Sequence, residues 1–306
     1  MLIKLHIGLP KTGTTYIQKF LHKTCSRSFN GWLYPDLGFY NHQIALYVPL
    51  KMHVPWKVTI NSGAIEAWDK LSKILASKQC SLNSLLLSAE MLSALDVAGV
   101  NAFSELIVGH DLTDIIITIR PLEKLIPSNW QQHVKNGGTV SFESYVLSIR
   151  KLFEAESSNI SAYSYEHAIR KWLGAFPNTT FNIIRMNGKF SSNLHALTDA
   201  LGIRGLSNLI TDFKLDTKEQ NISLSLSECN ALIEINDDIK SGFSTPDDRK
   251  RFIRNALSKK IDHNLVDKAV LDKENMNYFT NIESMMQEKC NIYNKRVLFL
   301  DGADYE

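Results

Sequence analysis

Within the first fifteen residues, Gly8 and Gly13 bracket a turn that holds Pro10, Lys11 and Thr12, and Thr14 and Thr15 follow at once. The run before it, Leu2–Ile7, reads as a buried strand, and the stretch after it, Thr14–Lys23, reads as a helix. A strand that turns on glycines into a helix makes an anion site. Successive backbone N–H groups converge there, and the positive end of the helix dipole faces the ligand. Lys11 adds a full charge, and the two threonines add hydroxyl donors in the first turn. A phosphate, or a sulfate ester of the same shape, suits these groups.

The spacing of the glycines is that of a nucleotide-binding P-loop, but the lysine is misplaced for one. That loop sets Lys and Ser/Thr directly after the second glycine, whereas here Thr14 follows Gly13 and Lys11 precedes it by two residues. The segment Pro10-Lys11-Thr12-Gly13-Thr14-Thr15 instead resembles, position for position, the 5′-phosphosulfate loop P-K-[ST]-G-[ST]-[ST] of sulfotransferases that use 3′-phosphoadenosine 5′-phosphosulfate (PAPS). That family binds the 3′-phosphate through an arginine at a strand end and a serine eight positions on. Arg120, after the β-branched run Asp114–Ile119, and Ser128 fit that spacing. The guanidinium offers a planar fork to phosphate oxygens. Family members often carry Asn between Arg and Pro; here Arg120 meets Pro121 directly. The resemblance implies that Lys11 assists the leaving bridge oxygen, that Thr14 and Thr15 hold the 5′-phosphate, and that no metal is needed.

Sulfuryl transfer to a hydroxyl needs a base near the acceptor. Glu90, just past the strand Ser84–Ser88, is placed where a partly desolvated carboxylate gains a raised pKa; it also suits the N-terminus of the next helical stretch, Met91–Leu95. His42 is the rival, because its ordinary pKa suits base work without help. It lies in the irregular segment Gly31–Pro55, and with Trp32, Tyr34, Tyr40, His53 and Trp56 it reads as an aromatic wall for an acceptor such as a sugar ring.

These residues need a scaffold, and the pattern supplies one. Short apolar strands at Leu2–Ile7, Ser84–Ser88, Asp114–Ile119 and Thr180–Arg185 alternate with helical stretches at 14–23, 64–77, 101–108, 122–134, 142–153 and 166–176. This predicts a doubly wound, mainly parallel α/β sheet, with ligands outside the carboxyl ends of its strands. Residues 1–306 read as a single domain: an α/β core over about 1–190, then a mainly helical part over 191–306 that includes Ser225–Lys240, Asp247–Ser258, part of Lys259–Cys290 and a late strand at Arg296–Leu300. The turn Ser241–Asp248 reads as a mobile loop, and Ser223 or Ser225 as a helix cap.

The formal charge of +2 argues against a dedicated nucleic-acid binder. Cys25, Cys80, Cys229 and Cys290 are widely spaced and show neither a metal signature nor a disulfide framework. No apolar run is long enough to span a membrane. The expectation is a cytoplasmic enzyme that moves a sulfuryl group from PAPS to a small-molecule or glycan hydroxyl. Two alternatives remain open: a kinase or NTPase that uses the loop for ATP, and a non-catalytic binder of a phosphorylated or sulfated ligand.

Overall fold

The computed structural model describes residues 1–77, 84–186, 189–213, 223–243, 248, 251–253, 267–293 and 296–305. Cys80, the centre of the 241–248 turn and most of the expected 247–258 helix lie outside them. The chain divides into two compact units, 1–120 with 158–215 and 284–306, and 121–157 with 216–283.

In the first unit, six described strands form one sheet: β1 (Leu2–Gly8), β2 (Trp32–Leu33), β3 (Ser84–Ser88), β4 (Asp111–Ile119), β5 (Thr180–Arg185) and β6 (Val297–Asp301). The order is β2-β3-β1-β4-β5-β6 and every pairing is parallel. The chain leaves β1 to one side to build β3, then crosses to build β4 on the other. The strand order therefore reverses at β1, which opens a crevice at its carboxyl end. Parallel strands buried on both faces need continuous apolar runs, and Leu85–Leu87 and Ile115–Ile117 supply them at zero exposure.

Helix α1 (Thr14–Cys25) packs with a later helix, Phe190–Leu201, on one face of this sheet. Ile17, Phe20 and Leu21 meet Leu194, Leu197 and Leu201 there, around Leu86, Ile116 and Ile184. Between β1 and β3 the chain forms α2 (Gln43–Leu50) and α3 (Ser62–Ala76); α4 (Val97–Leu106) follows β3. On the opposite face, Phe103 of α4 meets Trp172 of the helix Tyr165–Ala175, with ring centroids 5.3 Å apart. Trp172 is fully buried.

The second unit contains α5 (Leu122–Lys135) and α6 (Phe142–Glu154). Following these, α7 (Tyr165–Ala175) and α8 (Phe190–Leu201) are the two first-unit helices just described. Helix α9 (Leu226–Gly242) belongs to the second unit, and α10 spans Lys273–Asn291. Ser225 opens α9 with a capping box, reciprocated by Glu228. The Trp130 ring of α5 lies tilted against Phe142 of α6, with centroids 5.0 Å apart, and the Asn236 side chain of α9 donates to the carbonyls of Val134 and Gly138.

The segment expected to be irregular, 31–55, is partly ordered into β2 and α2. Helix α2 is short, nearly all apolar and contains Pro49, so it shows no helical alternation of polar and apolar residues.

Candidate active site

The loop after β1 is set by close approach. A Cβ on Gly8 would stand 2.4 Å from Thr118 Oγ1, so no larger residue fits between the ends of β1 and β4. Lys11 and Gly13 both adopt left-handed backbone, at φ 65° and 83°. For glycine that is free, whereas for lysine it is uncommon and is sustained by the surrounding contacts. Gly13 occupies the N-cap position of α1 without a side-chain cap, so no cap side chain is spent on the helix's first N–H groups.

A buried chain of hydroxyls and one imidazole underlies the loop. Thr12 Oγ1 donates to the Leu9 carbonyl at 2.9 Å, and lies 3.1 Å from Thr118 Oγ1. Thr118 Oγ1 is 3.3 Å from His6 Nε2, and His6 Nδ1 is 2.8 Å from Ser88 Oγ. The single hydroxyl hydrogen of Thr12 is used on Leu9, so Thr118 donates to Thr12 and His6 Nε2–H donates to Thr118. Ser88 Oγ meets both His6 Nδ1 and the Tyr34 side chain. Burial pushes the His6 pKa down to about 3, which keeps the ring neutral.

Glu90 opens a 3-10 turn, Glu90–Ala94, directly after β3. Its carboxylate accepts the Thr14 hydroxyl and the Lys11 backbone N–H. Burial pushes its pKa up to about 7, against the attraction of the Lys11 ammonium. Burial in turn lowers the Lys11 pKa, with Glu90 opposing that shift and the Arg120 charge adding to it. Arg120, at the end of β4, is also lowered by burial. Lys11, Thr14, Glu90 and Arg120 thus form one electrostatic group at the carboxyl ends of β1, β3 and β4. Two partly desolvated cations and an uncapped helix start suit a polyanion, and a carboxylate titrating near neutrality suits proton transfer.

Pro10 and Thr15 are half-buried in the same loop and first helical turn. Ser128 is half-buried on α5, within the second unit.

His42 has no free nitrogen. Its Nε2 lies 2.9 Å from the Pro35 carbonyl, which only an N–H can satisfy, and its Nδ1 accepts the Ser88 backbone N–H at 3.1 Å. Its own backbone N–H donates to the Ser88 carbonyl at 2.9 Å, so the residue is a reciprocal clamp between the 31–42 segment and β3. The ring is fully buried against Tyr34, with a pKa pushed down to about 3 chiefly by burial. A neutral imidazole with both nitrogens engaged is poorly placed to take a proton from an acceptor.

The expected aromatic wall does not form as one surface. Tyr34 is buried and donates to the Tyr40 carbonyl, Tyr40 lies under Lys19, and Trp32 lies under Lys4. Trp56 does approach the site through a residue that the sequence gives no reason to single out. It hydrogen-bonds the Tyr47 hydroxyl, whose pKa is raised by burial and, to a smaller extent, by the Glu90 charge. Nearby, a cavity of about 600 Å³ is lined in part by Met52, Val54, Pro55, Leu95 and Val97, with Lys171 in its wall.

Among the described residues, no group of three or more His, Cys, Asp or Glu side chains is placed to hold a metal ion, and no helix is long and apolar enough to cross a membrane. Cys25, Cys229 and Cys290 are buried free thiols.

No protein-family model matches the chain, and no curated protein matches it. Among solved structures, a sulfotransferase from Alicyclobacillus acidocaldarius aligns with 76% of this chain and 91% of its own, at a TM-score of 0.44 and 12% sequence identity.

Proposed function

We propose that the protein is a sulfotransferase that moves the sulfuryl group of PAPS to an acceptor hydroxyl on a carbohydrate or similar small molecule. The observation that carries this reading is the joining of Glu90 to the anion loop. One carboxylate with a pKa near 7 is hydrogen-bonded to the first turn of α1 and faces the Lys11 charge, which also feels Arg120.

In this reading the backbone N–H groups of the Lys11–Thr15 loop, with the Thr14 and Thr15 hydroxyls, hold the 5′-phosphosulfate. Arg120 pairs with the 3′-phosphate, a role that the family spacing also assigns to Ser128. The donor supplies an activated sulfur; the acceptor oxygen bonds to it as the bond to the bridging oxygen breaks. Glu90 takes the acceptor's proton, and the Lys11 ammonium neutralises charge as it builds on the departing phosphate oxygen. Positioning and electrostatics do the rest, as in phosphoryl transfer. No step needs a divalent metal. Tyr47, which feels the Glu90 charge, and its hydrogen-bond partner Trp56 would present an aromatic edge and a hydroxyl to the acceptor. The engagement of both His42 nitrogens supports Glu90 in the base role.

Calorimetric titration with adenosine 3′,5′-diphosphate, adenosine 5′-monophosphate and ATP, each with and without Mg²⁺, tests the reading. Selective, metal-independent binding of the 3′-phosphorylated nucleotide is the expected result. A preference for ATP with Mg²⁺ overturns it in favour of a kinase or NTPase. Binding of the diphosphate with no transfer to any alcohol or sugar would leave a non-catalytic binder.

A further inference from the structure

Lys171 lies in the middle of α7, beside Arg170. Its ammonium turns inward. Nζ donates to the carbonyls of Ser93 (3.3 Å) and Leu95, and to Ser161 Oγ (3.2 Å). Three N–H donors therefore meet three neutral acceptors. Two of those acceptors lie at the carboxyl end of the 3-10 turn that Glu90 opens, where backbone carbonyls lack partners within the turn. Ser93 ties the same end to the anion loop, since its hydroxyl donates to the Gly8 carbonyl at 2.6 Å. The Leu95 N–H closes the turn on Leu92 at 3.2 Å. With a rise of about 2 Å per residue, the turn is short and stiff, so a shift at its far end reaches Glu90 with little slack.

We propose that Lys171 is a positioning residue for Glu90: its ammonium terminates the Glu90–Ala94 turn and so holds the carboxylate against Thr14 and the Lys11 backbone. The proposal rests on the reading of Glu90 as the base. A lysine kept only for packing needs its stem and not its charge, whereas a terminator of open carbonyls needs all three donors. Burial lowers the Lys171 pKa to about 8, with Asp96 opposing and Arg170 reinforcing the shift. The other titratable groups on this side are His167, which lies against Arg170, and His53, paired with Asp96 at 3.3 Å.

The Lys171 side chain also lines the cavity of about 600 Å³, which admits small solutes to the place it would vacate. The test uses the full chain with Lys171→Met, which keeps the stem, and Lys171→Ala, which opens the space. Two readouts are followed: the titration of the Glu90 carboxyl carbon by NMR, and sulfuryl transfer. In Lys171→Met the Glu90 midpoint should move from about 7 towards the ordinary carboxylate range as water reaches the loosened turn. Turnover should fall about 100-fold, the cost of misplacing a reacting group by an ångström, with donor KM within about twofold. In Lys171→Ala, ethylammonium should restore turnover and ethanol should not. An unchanged Glu90 midpoint in Lys171→Met overturns the proposal, as does equal rescue by ethanol. If Lys171→Ala does not fold, Lys171→Met still decides the matter. If the wild-type protein transfers no sulfuryl group, the base reading fails, yet the Glu90 titration still reports whether Lys171 sets that carboxylate.

Discussion

Thr14 donates its hydroxyl hydrogen to the carboxylate of Glu90, so the first residue of the anion-loop helix and the candidate base are one hydrogen-bonded unit. The Lys11 N–H joins them. The carboxylate thus occupies donors that a phosphosulfate also needs. Above pH 7 it carries a charge that repels the incoming anion; below pH 7 it is neutral. Binding of adenosine 3′,5′-diphosphate should therefore weaken as pH rises from 6.5 to 8.5. Glu90→Gln should bind it more tightly and lose that pH dependence, while turnover falls about 10²–10⁴-fold for want of a base. Calorimetry across this range checks the first part; a Glu90→Gln variant that keeps the wild-type slope removes Glu90 from the loop.

The two cations should separate by kinetics. In the proposed mechanism Lys11 acts on charge that develops in the transition state, so Lys11→Ala should cost about 2.7–4 kcal/mol there and little in ground-state nucleotide binding. Arg120→Ala should weaken the 3′-phosphorylated nucleotide far more than its 3′-dephospho analogue. Turnover unchanged in the first variant, or equal losses for both ligands in the second, would return that residue to a structural role.

Gly8 leaves no room for a methyl group beside Thr118. Gly8→Ala should destabilise the fold by about 1–3 kcal/mol, the usual cost of overpacking. Because the clash falls first on Thr118 Oγ1, the added cost of Gly8→Ala should shrink in a Thr118→Ala background. Urea unfolding of the two single variants and the double variant gives the coupling directly. Simple additivity would mean that strand spacing there is set by something else.

His6 and His42 are held neutral, titrating at about 3 against an ordinary 6.5. Between those values the unfolded chain binds more protons than the folded one, so each histidine's contribution is intact above pH 6.5 and is lost as pH falls. The slope is about 1.4 kcal/mol per pH unit for each. Glu90, raised to about 7, works the other way between about 4.5 and 7 and offsets part of this. His42→Asn should lower stability at pH 7.5 yet flatten the acid limb between pH 6 and 5. Urea midpoints at those three pH values check it, and an acid limb as steep as the wild type's would show that His42 is not the titrating group.

The parts of the site that were legible in sequence are those fixed by neighbours a few residues away. The anion loop announces itself through glycines and a lysine between an apolar run and a helical one, and β3 and β4 through their Leu85–Leu87 and Ile115–Ile117 runs. Glu90 was found because it follows a strand end. What the sequence hid depends on partners far along the chain. Nothing around His42 says that Ser88 will fill its Nδ1, nor does anything around Lys171 say that it turns towards Ser93 and Leu95. Tyr47 lies on a helix with no polar face, so no periodicity marked it. The two-residue β2 is below the length at which alternation can be read.

The placement of β1 between β3 and β4 has a consequence for how the protein comes into being. Leu2 pairs with Ser84 on one side and Asp111 on the other. Pairings of such long range form slowly, because loop closure must precede any gain from contact. The anion loop, although it is encoded in the first fifteen residues, is therefore among the last features to take shape. During synthesis, an emerging chain that has not yet released β4 lacks Thr118, the partner of Thr12 and the close neighbour of Gly8. On the proposed reading, nucleotide affinity would thus be a late marker of maturation, acquired when the sheet closes around its first strand.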